Sequence, residues 1–185
     1  MNTTDKVILG IDPGTNIMGY GVISITDNKL KLIAAGVIDL SKIEDHHLKL
    51  KKIFERTVGL IEEYHPDELA IEAPFYGKNV QSMLKLGRAQ GVAIAAALSR
   101  TMSVNEYSPK KIKQSITGNG NASKEQVAAM LQSLLNFKDM PKHLDATDGL
   151  AAAVCHFFQN GNPAGTKKSF TGWKAFITEN PSRKL

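Results

Sequence analysis

Four acidic residues in this chain sit where the local sequence ends or begins a backbone element. Asp12 lies in Gly10-Ile11-Asp12-Pro13-Gly14-Thr15, Glu72 in Ala70-Ile71-Glu72-Ala73-Pro74, and Asp145 with Asp148 in Leu144-Asp145-Ala146-Thr147-Asp148-Gly149. Carboxylates gathered by folding repel one another, and without a cation at least one takes up a proton. Hard divalent cations prefer oxygen ligands, so the set reads as a site for Mg²⁺ or Mn²⁺.

The elements that must position these acids are legible around them. Asp12 ends the apolar run Val7 to Ile11, where a buried strand would continue with another aliphatic residue, and Pro13-Gly14 forces a turn. Glu72 repeats the pattern after Leu69-Ala70-Ile71, with Pro74 as the stop. Asp145 and Asp148 are three apart at the start of an Ala-rich stretch, so a helix there puts both on one face. Each acid also has a structural reading. Asp12 is a turn former, Asp145 an N-cap and Asp148 a first-turn acid favoured by the helix dipole. Glu72 is costly beside an apolar strand unless it is paired.

Patterning predicts strands near 6–12, 18–26 and 29–40, joined at Pro13-Gly14 and Asp27-Asn28 as an antiparallel meander. A helix at about 44–64 follows, with Leu50, Ile53, Phe54, Leu60 and Ile61 on its apolar face and Lys49, Lys51 and Lys52 toward solvent. Then come a strand near 68–73, a helix near 79–99, a strand near 102–107, a short helix from 109, a helix near 123–136 and the helix from 145. The alternation in the second half implies an α/β fold, a mixed sheet with parallel neighbours and helices on its faces. One domain, 1–160, is expected, followed by a polar basic tail, 161–185, partly disordered, whose Phe170, Trp173 and Phe176 are candidates for docking.

Lysine and arginine outnumber acids 23 to 18, for a formal charge of +5 and a pI near 9.2. A metal would sequester several of those acids, leaving a surface suited to a polyanion such as nucleic acid. The single Cys155 excludes an internal disulfide, suits a reducing cytoplasm and reads as core packing. The N-terminus carries no secretory pattern, and the apolar run from Gly91 to Leu98 is too short to cross a bilayer, so no membrane role is expected. His143 and His156 are not assigned to metal; His156, eleven residues beyond Asp145, reads as a satisfied or partly exposed helix residue. His46-His47 reads as a solvated helix start.

The segments from Gly10 to Thr15, Gly19-Tyr20-Gly21-Val22, Ala70-Ile71-Glu72, Lys78-Asn79, Leu84 to Val92 and Asp145 to Ala151 closely resemble, in this order, the bacterial RuvC-type Holliday junction resolvases. The resemblance covers roughly residues 6–158. It implies a ribonuclease-H-like five-stranded sheet with helices on both faces, a homodimer, and Mg²⁺-dependent paired nicking of a four-way DNA junction, with a branch-migration motor as partner. Family acids fall on Asp12, Glu72, Asp145 and Asp148. In two-metal hydrolysis, one side activates a water and the other stabilises the leaving 3′ oxygen. Asp12 is assigned as the bridging carboxylate, Glu72 and Asp148 hold one ion and Asp145 the other.

Phe75 matches a family aromatic that stacks at the opened junction, with Tyr76 as the less supported neighbour. Lys78, Lys85 and Arg88, and Lys110, Lys111 and Lys113, are candidates to neutralise phosphates, although a solvated helix face explains any one of them equally well. Lys113 and Lys124 match family segments whose lysines lie near the scissile phosphate; Lys124 otherwise simply begins a helix behind Ser123. Gly87 and Gly91 are one turn apart and either pack on the domain's own sheet or form a dimer contact. Rival readings are an actin-like ATPase, which needs a second phosphate loop and a longer chain, a non-catalytic junction binder, and an RNA-processing nuclease of the same superfamily.

Overall fold

The computed structural model describes residues 5–74, 79–137 and 144–160. Phe75, Tyr76, Lys78, His143 and the tail aromatics Phe170, Trp173 and Phe176 lie outside them.

Strands β1 (Lys6–Asp12), β2 (Ile17–Thr26) and β3 (Lys29–Asp39) precede helix α1 (His46–Tyr64). Then follow β4 (Glu68–Glu72), α2 (Val80–Leu98), β5 (Ser103–Tyr107), α3 (Pro109–Thr117), α4 (Lys124–Leu135) and α5 (Asp145–Asn160). The five strands lie in the order β3-β2-β1-β4-β5. The first three form the expected antiparallel meander, while β4 pairs parallel to β1 and β5 parallel to β4. The mixed sheet expected from the strand and helix pattern is therefore present.

Strand alternation sends successive side chains to opposite faces. Leu9, Ile11, Leu69 and Ile71 pack with Ile53, Leu60, Ala89 and Ala93 of α1 and α2. Ile8, Ile23 and Ala70 pack on the other side with α3, α4 and α5. Asp12, Glu68 and Glu72 share parity with Ile8 and Ala70, so they emerge on the α5 face. On that face β1 and β2 place Gly10, Gly19 and Gly21 directly beneath α5, whose backbone lies too close for any Cβ there. Close seating of α5 is thus written into three small residues of the sheet.

Local capping explains most element ends. Asp45 caps α1 by accepting from the Leu48 N–H at 2.9 Å, which starts the helix two residues later than expected. At α4 the Ser123 hydroxyl accepts from the Gln126 N–H at 3.3 Å, and the Gln126 side chain accepts from the Ser123 N–H at 2.9 Å. This capping box fixes where α4 begins.

Two expectations need correction, and for His156 the structure decides between two readings. Phe54 is 40% exposed rather than part of the α1 core face, which buries Ile53, Thr57, Leu60 and Ile61 and packs Leu50 at its side. Lys49 does not simply face solvent: its ammonium donates to the Thr15 carbonyl at 2.8 Å and to Asn16 at 3.0 Å, tying α1 to the turn after Asp12. His156 is fully buried. Its Nδ1 meets the Tyr107 hydroxyl at 2.7 Å, and its Nε2 meets the Glu68 carboxylate and, at 3.0 Å, Asn160. It is satisfied, as expected, but not exposed. Glu68 also pairs with Lys6 at 2.7 Å. Burial pushes the Glu68 carboxyl up, but His156 and Lys6 outweigh it and hold the group below its ordinary value. Cys155 is buried as expected. Among the described residues no helix is long and apolar enough to cross a membrane.

Candidate active site

Parallel pairing of β1 with β4 sets Ile11 beside Ile71, so Asp12 and Glu72 leave the sheet side by side at the same end. The first turn of α5 lies over that end and contributes Asp145 and Asp148. Asp12, Glu72 and Asp148 line one cleft of about 320 Å³ together with Lys113, Lys124, Pro13, Pro74, Leu86, Pro109 and Ile112. Asp145 stands at the rim, with its side chain 38% exposed.

The electrostatics are those of crowded, partly dehydrated carboxylates. Burial, then Asp148, raise Asp12 from 3.8 to about 7, against an opposing pull from Lys124. Burial, then Asp12 and Asp148, raise Glu72 from 4.5 to about 8, with Lys124 and Lys113 opposing. Asp148 is raised by burial even though Lys124 binds it. The Lys124 ammonium donates to Asp148 at 2.5 Å and approaches Asp145 at 3.5 Å. Burial alone would lower the Lys124 pKa, but Asp148, Asp145 and Asp12 outweigh it and hold the group charged.

This environment tests the fit of a divalent cation through its donors. All four acids offer oxygen, and burial and mutual repulsion raise the pKa of Asp12 and Glu72, a penalty that a divalent cation relieves. Among the described residues, no group of three or more His, Cys, Asp and Glu side chains is arranged to hold a metal as it stands. Lys124 is the positive charge at the rim instead.

The other candidates divide. Lys113 is half-buried in the cleft wall, and Lys124 reaches the acids. Lys85 and Arg88 are exposed on α2. Together with Lys49 they depress the His46 pKa, after burial as the leading cause, so they form a basic patch beside the N-terminus of α1. Lys110 and Lys111 are exposed on α3, and the Lys110 stem lies against Gly120.

Two contacts were not foreseen. Lys49 braces the Asp12 turn, and the largely buried Gln90 donates to Glu106 at 2.7 Å and lies 3.4 Å from the Glu72 carbonyl. A polar residue on the otherwise Ala-rich face of α2 was the available signal for Gln90.

The family model described as crossover junction endodeoxyribonuclease RuvC matches residues 8–156. A protein of that name from Cytophaga hutchinsonii is 66% identical over 98% of this chain and 89% of its own length. Another from Bacteroides fragilis is 64% identical over 97% and 96%. The family match stops at residue 156, so these relatives also share residues beyond it. Among solved structures, Thermus thermophilus RuvC in complex with a Holliday junction substrate is similar, with a TM-score of 0.77 and 31% identity over 83% of this chain and 94% of that one.

Proposed function

Because this chain belongs to the RuvC family of crossover junction endodeoxyribonucleases, we propose that it resolves four-way (Holliday) DNA junctions by hydrolysing one phosphodiester in each of two opposing strands, with Asp12, Glu72, Asp145 and Asp148 as its catalytic carboxylates. The observation that carries the site assignment is the convergence of Asp12, Glu72 and Asp148 on one cleft, with Asp145 joined to them through Lys124.

Two Mg²⁺ ions are the cofactor this reading assigns, Mn²⁺ serving as a substitute; when bound, they supply an activated water on one side of the phosphate and charge neutralisation of the leaving 3′ oxygen on the other. The carboxylates hold and orient that charge. Asp12 is read as the shared ligand, Glu72 and Asp148 as its partners in the cleft, and Asp145 as the ligand at the rim. Lys113 and Lys124 face the position a phosphate takes, whereas Lys85, Arg88, Lys110 and Lys111 neutralise backbone phosphates farther out, with Lys78 ahead of them on the sequence. Phe75 and Tyr76 follow Pro74 of the cleft wall and are assigned to stacking on an opened base pair.

A junction with two equivalent cleavage strands calls for two sites related by a two-fold axis. The homodimer reading is supported by α2: Val80, Leu84 and Leu98 are 63%, 53% and 60% exposed. A Cβ at Gly87 or Gly91 would meet nothing within 4 Å among the described residues, so the domain's own sheet does not account for these small residues. Residues 1–160 serve as the nuclease domain and 161–185 as a basic tail, in a cytoplasmic enzyme of recombination and repair that works beside a branch-migration motor.

The test is incubation with Mg²⁺ and a synthetic four-way junction of varied core sequence, alongside duplex DNA, single-stranded DNA, junction RNA and an Asp12→Asn control. Paired, symmetric nicks at the junction, absent from the control, are expected. Junction binding without cleavage in Mg²⁺ and Mn²⁺ over all cores would overturn the catalytic reading in favour of a binding scaffold.

A further inference from the structure

Lys124 is the first residue of α4, directly behind the Ser123 cap. A cation in the first turn of a helix is opposed by the helix dipole, so the position is not one that α4 itself favours. What favours it lies across the cleft: the Lys124 ammonium is 2.5 Å from an Asp148 carboxylate oxygen and 3.5 Å from one of Asp145. The backbone beneath it is fixed by the reciprocal Ser123 and Gln126 hydrogen bonds, while its side chain is 52% exposed. A rigid root with a solvated, four-carbon stem can swing without moving α4.

An oxygen lone pair held by an ammonium at this distance is not free for a second cation on the same side, and two positive charges there repel. Lys113 lines the same cleft but acts on Glu72 and Asp148 through space. We infer that Lys124 is a resident cation: in the metal-free enzyme its ammonium holds Asp145 and Asp148, and it must leave them when a divalent ion binds, so this lysine sets how tightly the enzyme holds its metal. The inference rests on the assignment of the four acids as metal ligands. It gives Lys124 a role in the metal equilibrium of the free protein, apart from any contact it makes with a scissile phosphate.

The experiment is Mn²⁺ binding to the DNA-free protein, followed by electron paramagnetic resonance of the unbound ion, for the wild type and for Lys124→Met. Removing the competitor is expected to tighten Mn²⁺ binding roughly tenfold, about the worth of one charge-assisted hydrogen bond given up. In the wild type, the Lys124 Nζ signal followed by NMR is expected to shift when Mg²⁺ is added, which tests displacement even if the variant folds poorly. Equal or weaker Mn²⁺ binding by Lys124→Met, or an Nζ signal unmoved by Mg²⁺ at saturation, overturns the inference and leaves the metal site standing. No Mn²⁺ binding by either protein overturns both.

Discussion

A Cβ placed on Gly19 would stand 1.9 Å from the carbonyl oxygen of Asp145. The first turn of α5, which carries two of the four acids, therefore rests directly on the backbone of β2. Gly149 closes the same contact from the helix side, since a Cβ there would come within 2.5 Å of the Tyr20 backbone. Neither obstacle is a flexible side chain, so the backbones themselves must part. Gly19→Ala is expected to cost at least about 1–3 kcal/mol of stability by overpacking and to lift Asp145 and Asp148 away from Asp12. Denaturant unfolding and junction cleavage should fall together; wild-type cleavage by this variant would refute the dependence of the site on this seating.

The acids also set a pH dependence. Asp12 and Glu72 have folded values of about 7 and about 8, raised from 3.8 and 4.5. The unfolded chain therefore releases these protons at lower pH than the folded one. Stability from the protonated groups is fully present below about pH 4 and is lost as pH rises through about 7 to 8. In EDTA the urea midpoint should fall across that window and then level off, so far as these two groups govern it. Mg²⁺ should restore stability above neutrality, and Asp12→Asn should flatten the profile in EDTA. A metal-free midpoint that rises from pH 5 to pH 8, as an estimated test range, would contradict the burial of these carboxylates.

Local chemistry made much of this architecture readable. Pro13-Gly14 and Asp27-Asn28 punctuate the meander, with Asp27 and Asn28 both at positive φ as the tight hairpin requires, and Ser123 announces the start of α4. The four acids could be grouped because Asp12 and Glu72 each end an apolar strand pattern, while Asp145 and Asp148 share one face at the start of an Ala-rich helix. What stayed hidden depended on partners distant in sequence. Lys49 has the same helical surroundings as Lys51 and Lys52, yet only the approach of the Thr15 turn gives it a carbonyl to bind. Phe54 fits the apolar stripe of α1 and is left at its edge by the placement of the sheet. The burial of His156 follows from Glu68 and Tyr107, which are 88 and 49 residues away.

That buried histidine yields a separate expectation. His156 joins α5 to β4 and β5 at Glu68 and Tyr107, on the flank of α5 away from its first turn. His156→Phe would leave the Tyr107 hydroxyl without this partner, while Glu68 would retain Lys6. A loss of about 2–3 kcal/mol is expected in urea unfolding. Cleavage by the folded fraction should stay within roughly threefold of wild type, because Asp145 and Asp148 lie about three and about two turns back along the helix. A large loss of cleavage at full stability would instead show that the Tyr107 link governs the placement of Glu72, its neighbour across β4 and β5.

Gly91 separates the folding and assembly roles of α2. A Cβ there meets nothing within 4 Å among the described residues. Glycine in a helix interior also costs roughly 0.5–1 kcal/mol relative to alanine. Gly91→Gln should therefore leave the protomer as stable as wild type or slightly more so. If α2 is the dimer contact, the longer side chain keeps the two helices apart. Sedimentation is then expected to show monomers, and junction nicks should lose their pairing even though each cleft retains its acids. A variant that remains dimeric and nicks in symmetric pairs would exclude this face of α2 as the interface.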